Sequence, residues 1–390
     1  MRDDTMRSDG VRCDGVKDDR DKKIYDLWLD CLWECSPKKK HQLLQTFGTS
    51  FDAWKDGRNL IEKEMKSASR QGGWMATPEE ARRLLERLEQ QEIRAIAWDD
   101  EEFPPLLKEI SNPPWMIYVA GNAQLLNRPC VAVIGARRAS QYGKNVAYHM
   151  GKRLAQAGAV IVSGMAMGID SCAHRGALDD EKERGEEAAT IAVLGGGVDV
   201  CYPASNRQIY DEIRKRGALV SEFQPGVCPK NYYFPMRNRL ISGLSKAAVV
   251  VEAAIGSGSL ITAELAAEQG REVFAVPGNI DRIGSVGTNK LIKDGASLLI
   301  SVEDLIHELG LEADEPPESD EQLGADEKKI IKILLQQGEV TADQLAASLG
   351  LPTSKINGLV TVLEMKGIIS TAIGKIFLAK KFENLYNMPL

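Results

Sequence analysis

The sequence predicts an α/β protein: a doubly wound parallel sheet with a small helical domain before it and a small domain of three helices and a hairpin after it. Three observations carry this. From residue 130, short runs of Val, Ile and Ala each end near Gly and give way to a helical stretch. Those runs are almost continuously apolar, as strands covered on both faces are. Beyond an acidic, Pro-containing segment come three short helical stretches and two β-like runs around Gly374, the pattern of a winged helix-turn-helix.

Taken in order, residues 1–23 alternate charges without an apolar stretch, which fits a flexible tail and not a signal peptide. Residues 24–90 read as a small helical domain. Leu27, Leu29, Leu32, Leu43, Leu44, Phe47, Trp54, Leu60 and Ile61 recur at helical spacing, with a turn at Gly48. Ahead of the stretch 78–91, Thr77 suits an N-cap, Pro78 the first helical position, and Glu79 and Glu80 the electropositive first turn. Residues 91–127, with two Pro-Pro pairs, read as a lead-in arm holding a strand near 116–119.

Residues 128–308 form the predicted Rossmann-like domain. Its apolar runs are 130–135, 159–164, 190–197, 218–222, 247–253 and 272–278, and its helices include 141–158 and 259–270. The charged run 179–187 is expected to be a solvated surface loop. Residues 309–324 are acidic and read as a linker. The winged helix, 325–390, has eight Lys and no Arg, and its second helix is acidic. That weighs against reading of a duplex operator and leaves dimerisation or protein docking open.

Composition narrows the function. The 390 residues carry a net charge of −7, which excludes a uniformly basic coat protein but allows one basic groove. Seven scattered Cys without a CxxC pair, and four His, offer no metal set. Cys31 and Cys35 could share a helix face, but free thiols in a reducing cytoplasm are the simpler reading. No apolar run reaches the roughly 18 residues of a membrane span, so no membrane partner is expected. No cofactor is expected either.

Candidate chemistry lies in the turns at the carboxyl ends of strands, where open sheets place ligands. Gly135, Arg137 and Ser140 offer backbone amides near a helix start beside a guanidinium, a phosphate seat. Ser163 and Gly164 open a second turn. In the helix after it, Asp170 and His174 stand at i,i+4; without a nucleophile they read as a structural pair more than an acid–base pair. A third turn, 195–199, is followed by Tyr202-Pro203 and Asn206. In the stretch 229–239, Tyr232, Tyr233 and Phe234 interleave with Lys230, Arg237 and Arg239, followed closely by a strand. Rings for bases and cations for phosphates are what a single-stranded nucleic acid requires. Gly256, Ser257, Gly258 and Ser259 form another helix-entry turn, but with no Walker Lys it is not an ATP-hydrolysing P-loop.

In sequence order, GARRASxYG (135–143), SGMAMGID (163–170), GGGVDxxYP (195–203), FPMRNRLISGLS (234–245), SGSLITA (257–263), VPG (276–278) and GTNxLIxxGA (287–296) resemble the DprA/Smf family, DNA-processing protein A. The resemblance implies a non-catalytic, cytoplasmic protein, usually a homodimer. It implies that the protein binds single-stranded DNA, protects incoming strands during natural transformation and loads the RecA recombinase. It maps contacts onto Arg137, Lys230, Phe234, Arg237, Asn238, Ser257, Gly258 and Ser259. Where many members carry a basic residue before Ser257, this chain has Ala254-Ile255-Gly256, one phosphate contact fewer. Two other readings stay open: a nucleotide-monophosphate phosphoribohydrolase using Glu264 and Arg237, and a winged-helix transcription regulator.

Overall fold

The computed structural model describes residues 18–32, 36–68, 77–184, 188–311, 324–365, 368–372 and 374–378. The N-terminal region is helical, as expected: α1 (Asp19–Asp30), α2 (Pro37–Phe47), α3 (Ser50–Ala68) and α4 (Pro78–Gln90). The expected tail is shorter than 23 residues, because Asp18 caps α1 by accepting from the Asp21 amide; the rest of that tail lies outside the described residues, as does Cys35. At α4 the Thr77 side chain and Glu80 form a reciprocal capping box, with Pro78 in the first turn. Removing such a cap costs about 1 kcal/mol.

The region expected to be a lead-in arm has the strand expected near 116–119 and a second one before it, and both join the sheet. Strands β1 (Ile93–Ala97) and β2 (Met116–Gly121), with the one-turn helix α5 (Pro105–Lys108) between them, pair antiparallel and dock β2 on the main sheet at Tyr118↔Ser221. Two Pro-Pro pairs disguise this, since they fall in the connection and not in either strand.

The remaining sheet elements alternate as the apolar runs predict. They are β3 (Cys130–Ile134), α6 (Gln141–Gln156), β4 (Val160–Ser163), α7 (Ile169–Arg184), β5 (Thr190–Val193), α8 (Arg207–Arg216), β6 (Ala218–Ser221), α9 (Tyr233–Leu244), β7 (Ala247–Val250), α10 (Gly258–Glu268), β8 (Glu272–Ala275), α11 (Ile283–Lys293), β9 (Ser297–Leu298) and α12 (Val302–Glu308). The sheet order is β1-β2-β6-β5-β4-β3-β7-β8-β9. From β6 to β9 every neighbour is parallel. The chain leaves β3 outward to β6, then returns to the other side of β3 with β7. That reversal makes a topological switch point, and ligands of doubly wound sheets bind beyond the carboxyl ends of the strands there.

Two apolar clusters cover the faces of the sheet. One joins the inner strands to α6, α7, α9 and α12. The other joins Leu27, Trp28 and Leu84 of the N-terminal helices to Tyr118, Leu219 and Tyr210, so the helical region shares a core with the sheet. The charged run expected to be a loop continues α7 to Arg184, and residues 185–187 lie outside the described residues.

The C-terminal domain comprises α13 (Ala325–Gln337), β10 (Glu339–Thr341), α14 (Ala342–Leu349), α15 (Thr353–Met365), β11 (Ile369–Ala372) and β12 (Lys375–Leu378). It closes around its own core of Ile330, Leu334, Leu345, Ile356, Leu363 and Ile376. Of the expected linker, Leu309 and Leu311 pack on the sheet's core; residues 312–323 lie outside the described residues.

Candidate nucleic-acid interface

The loops after β3, β4 and β5 stand side by side because their strands do, and α9 crosses beneath them. The segment 229–239 is therefore not a loop of alternating rings and cations. From Tyr233 it is helix, and helical spacing sends its side chains in different directions.

Arg237 points inward. It is 5% exposed, and its Nη1 donates to the Gly164 carbonyl at 3.1 Å and, more closely, to that of Val193. Burial, opposed by Asp170 and joined by the nearby Arg137, lowers its pKa to about 10. Asp170 accepts from the amides of Gly164 and Ala166 at 3.1 and 3.3 Å. Burial raises its pKa, while Arg237 opposes the shift. Gly164 has to be glycine: a Cβ there would lie 2.7 Å from Arg237 Nη2 and 2.9 Å from Asp170 Oδ2. Arg237 thus ties the ends of β4 and β5 together and quenches two carbonyl dipoles that would otherwise repel a phosphate. The expected direct contact through Arg237 is replaced by this brace.

Four more expected contacts are spent internally. Ser163 is buried and donates to the Val133 carbonyl at 2.6 Å. Arg239 makes a two-pronged pair with Glu222 at 2.9 and 2.5 Å, both side chains nearly buried. Ser140 caps α6, and its amide donates to Glu252 Oε2 at 2.8 Å while its hydroxyl donates to Oε1. The anion at that helix start is therefore the protein's own Glu252. Gly135 serves packing, since a Cβ would lie 2.7 Å from Ile169 Cγ1.

The others are less enclosed, apart from Ser259, which is buried. Arg137 is exposed, with its guanidinium carbon 5.5 Å from the Phe234 ring centroid. Phe234 lies on Gly195, where a Cβ would be 2.8 Å from the ring. Lys230 is exposed, with Nζ 5.8 and 5.7 Å from the rings of Tyr232 and Tyr233. Asn238 bridges Arg237 and the start of α10, accepting from Arg237 Nε and donating to the Gly258 carbonyl, each at 3.4 Å. Ser257 caps α10, and its hydroxyl meets that of Ser259 at 2.8 Å. Gly258 is open, with nothing within 4 Å of where its Cβ would be. The first turn of α10 is thus open at Gly258.

Asp170 and His174 do different jobs and are not an acid–base pair. The Thr190 hydroxyl donates to the Ile161 carbonyl at 3.1 Å, so at 2.7 Å it accepts from His174 Nδ1. His174 is fully buried and neutral, its pKa lowered to about 3 by burial and by Arg237. Elsewhere, Asp26, Asp99 and Asp100 converge, but Lys22 Nζ lies 3.0, 3.0 and 3.1 Å from the three carboxylates and balances them. Among the described residues no helix is long and apolar enough to cross a membrane.

Comparison with known proteins agrees with this arrangement. The family model described as DNA recombination-mediator protein A matches residues 94–310, which takes in β1 and β2, and the DprA winged helix domain matches 314–375. The DNA processing protein DprA of Bacillus subtilis is 41% identical over 58% of this chain and 75% of its own length. Protein Smf of Escherichia coli is 38% identical over 74% of this chain and 78% of its own. The crystal structure of DNA processing protein A from Streptococcus pneumoniae superposes with a TM-score of 0.58 at 33% identity, covering 74% of this chain and 97% of that one. A structure of the Helicobacter pylori protein, concerned with its single-stranded DNA binding mode, gives 0.50 at 31% identity over 56% of this chain and 95% of that one. With the matching order of motifs, a switch-point site and a winged helix behind it, the chain belongs to the DprA/Smf family of DNA-processing proteins.

Proposed function

We propose that this chain is a non-catalytic single-stranded DNA-binding protein that protects incoming strands and hands them to the RecA recombinase in transformation and homologous recombination. The observation that carries the binding reading is the exposed Arg137 guanidinium over Phe234 at the carboxyl ends of β3 to β5. It pairs a phosphate fork with an aromatic face, the two elements of sequence-tolerant strand binding. The single-strand binding reported for the Helicobacter pylori relative and the recombination-mediator description of the family support the same reading.

The phosphoribohydrolase reading is disfavoured by burial of Arg237, with Glu264 exposed on α10. Homodimer formation fits the sheet edge at β9. Ile280, in the approach to α11, and Ile283, its first residue, are 92% and 78% exposed, and Leu298 in β9 and Ile300 just after it are exposed too.

Arg137→Ala tests the proposal. The fold should be unchanged, because exposed substitutions alter stability by under about 0.5 kcal/mol. Binding to poly-dT should weaken, and the slope of log K against log salt should shrink by about 0.7, one phosphate's share. Unchanged affinity and slope would remove Arg137 from the site.

A further inference from the structure

An exposed ring beside Phe234 is left without a role by the buried brace. Tyr202 lies in the loop after β5, 47% exposed. Its ring stacks on Phe234 with centroids 5.4 Å apart and planes inclined by 27°. Phe234 is already hemmed in, half-buried, with Gly195 against its edge and Arg137 over it. Tyr202 is the outer member of this stack. Its loop is anchored on either side: the Val198 carbonyl accepts from the Tyr210 hydroxyl, and Asn206 Nδ2 donates to the Met165 carbonyl at 2.8 Å. A ring held this firmly offers a flat apolar face at little cost in side-chain entropy.

We infer that Tyr202 is a base-stacking platform of the strand-binding site, extending the Arg137–Phe234 ledge by one base beyond the phosphate seat. This rests on the single-strand reading above. A base laid on Tyr202 continues a stack already begun by two protein rings, with the phenol hydroxyl left at the wet edge. Because every base has a π-face, the platform is sequence-tolerant, and because it holds no charge, it adds nothing to the salt dependence.

The test uses the full chain and two single strands of equal length, oligo-dT and the same backbone with abasic sites throughout, measured by fluorescence anisotropy at several salt concentrations. Tyr202→Ala should bind oligo-dT about tenfold more weakly, with its salt slope unchanged, and should bind the abasic strand as the native chain does. Tyr202→Phe should keep native affinity for both. If Tyr202→Ala matches the native chain on oligo-dT, or loses equally on the abasic strand, the platform is overturned. A native chain that binds oligo-dT no better than duplex removes the single-strand reading itself, and the platform falls with it.

Discussion

Arg237 holds its two carbonyls and faces Asp170 from a position closed to solvent. Arg237→Ala leaves a buried carboxylate and two strand ends without their partner, and breaking a buried pair in this way costs about 3–5 kcal/mol. Urea unfolding should report a loss of that size, whereas a variant within 1 kcal/mol or so of native would contradict the brace. His174 makes a pH prediction. Its folded pKa of about 3 lies below the ordinary 6.5, so between those values the unfolded chain binds a proton that the folded chain does not. Its contribution is complete above pH 6.5 and falls as the pH drops toward 3, by at most about 1.4 kcal/mol per unit. The raised pKa of Asp170 acts in the opposite sense, adding stability as the pH falls through its folded value. Unfolding at pH 7 and pH 5 should show a larger acid loss for the native chain than for His174→Gln; equal losses would contradict a neutral His174. The rings and cations of 230–239 are legible in the sequence, and Arg137 and Lys230 are exposed while Phe234 is half-buried. What the sequence hides is direction: a helix beginning at Tyr233 turns Arg237 inward and pairs Arg239 with Glu222.

At the level of elements, the two helix starts nearest the site differ in what fills them. Glu252 closes α6, whereas α10 is capped by the neutral Ser257 and is open at Gly258. The alternation of apolar run, Gly and helix made the parallel strands readable, and helix capping made α4 readable from Thr77. β2 was readable as the strand near 116–119, but β1 was not, because this antiparallel edge strand, IRAIA, is only five residues long and includes exposed Arg94. β9 is two residues long and exposed, too short for any periodicity to register. That edge carries the dimer prediction. Ile283→Glu combined with Ile300→Glu should halve the mass seen by light scattering without unfolding the chain, since both residues are exposed. A native chain that is already monomeric at the same concentration would contradict it.

At the scale of the whole molecule, the winged helix closes its own core while the candidate interface lies entirely between β3 and α10. A chain ending after Leu311, which retains the packing of Leu309 and Leu311, should therefore keep most of its affinity for single strands. A loss beyond tenfold, about 1.4 kcal/mol, would move part of the site into the winged helix. The most direct measurement of the central claim is competition at fixed salt, with labelled oligo-dT on the full chain challenged by unlabelled oligo-dT, mixed-sequence single strands and duplex. Stacking and phosphate contacts without base-edge reading predict that both single strands compete alike and that duplex competes poorly. Displacement by one duplex sequence ahead of either single strand would contradict the account.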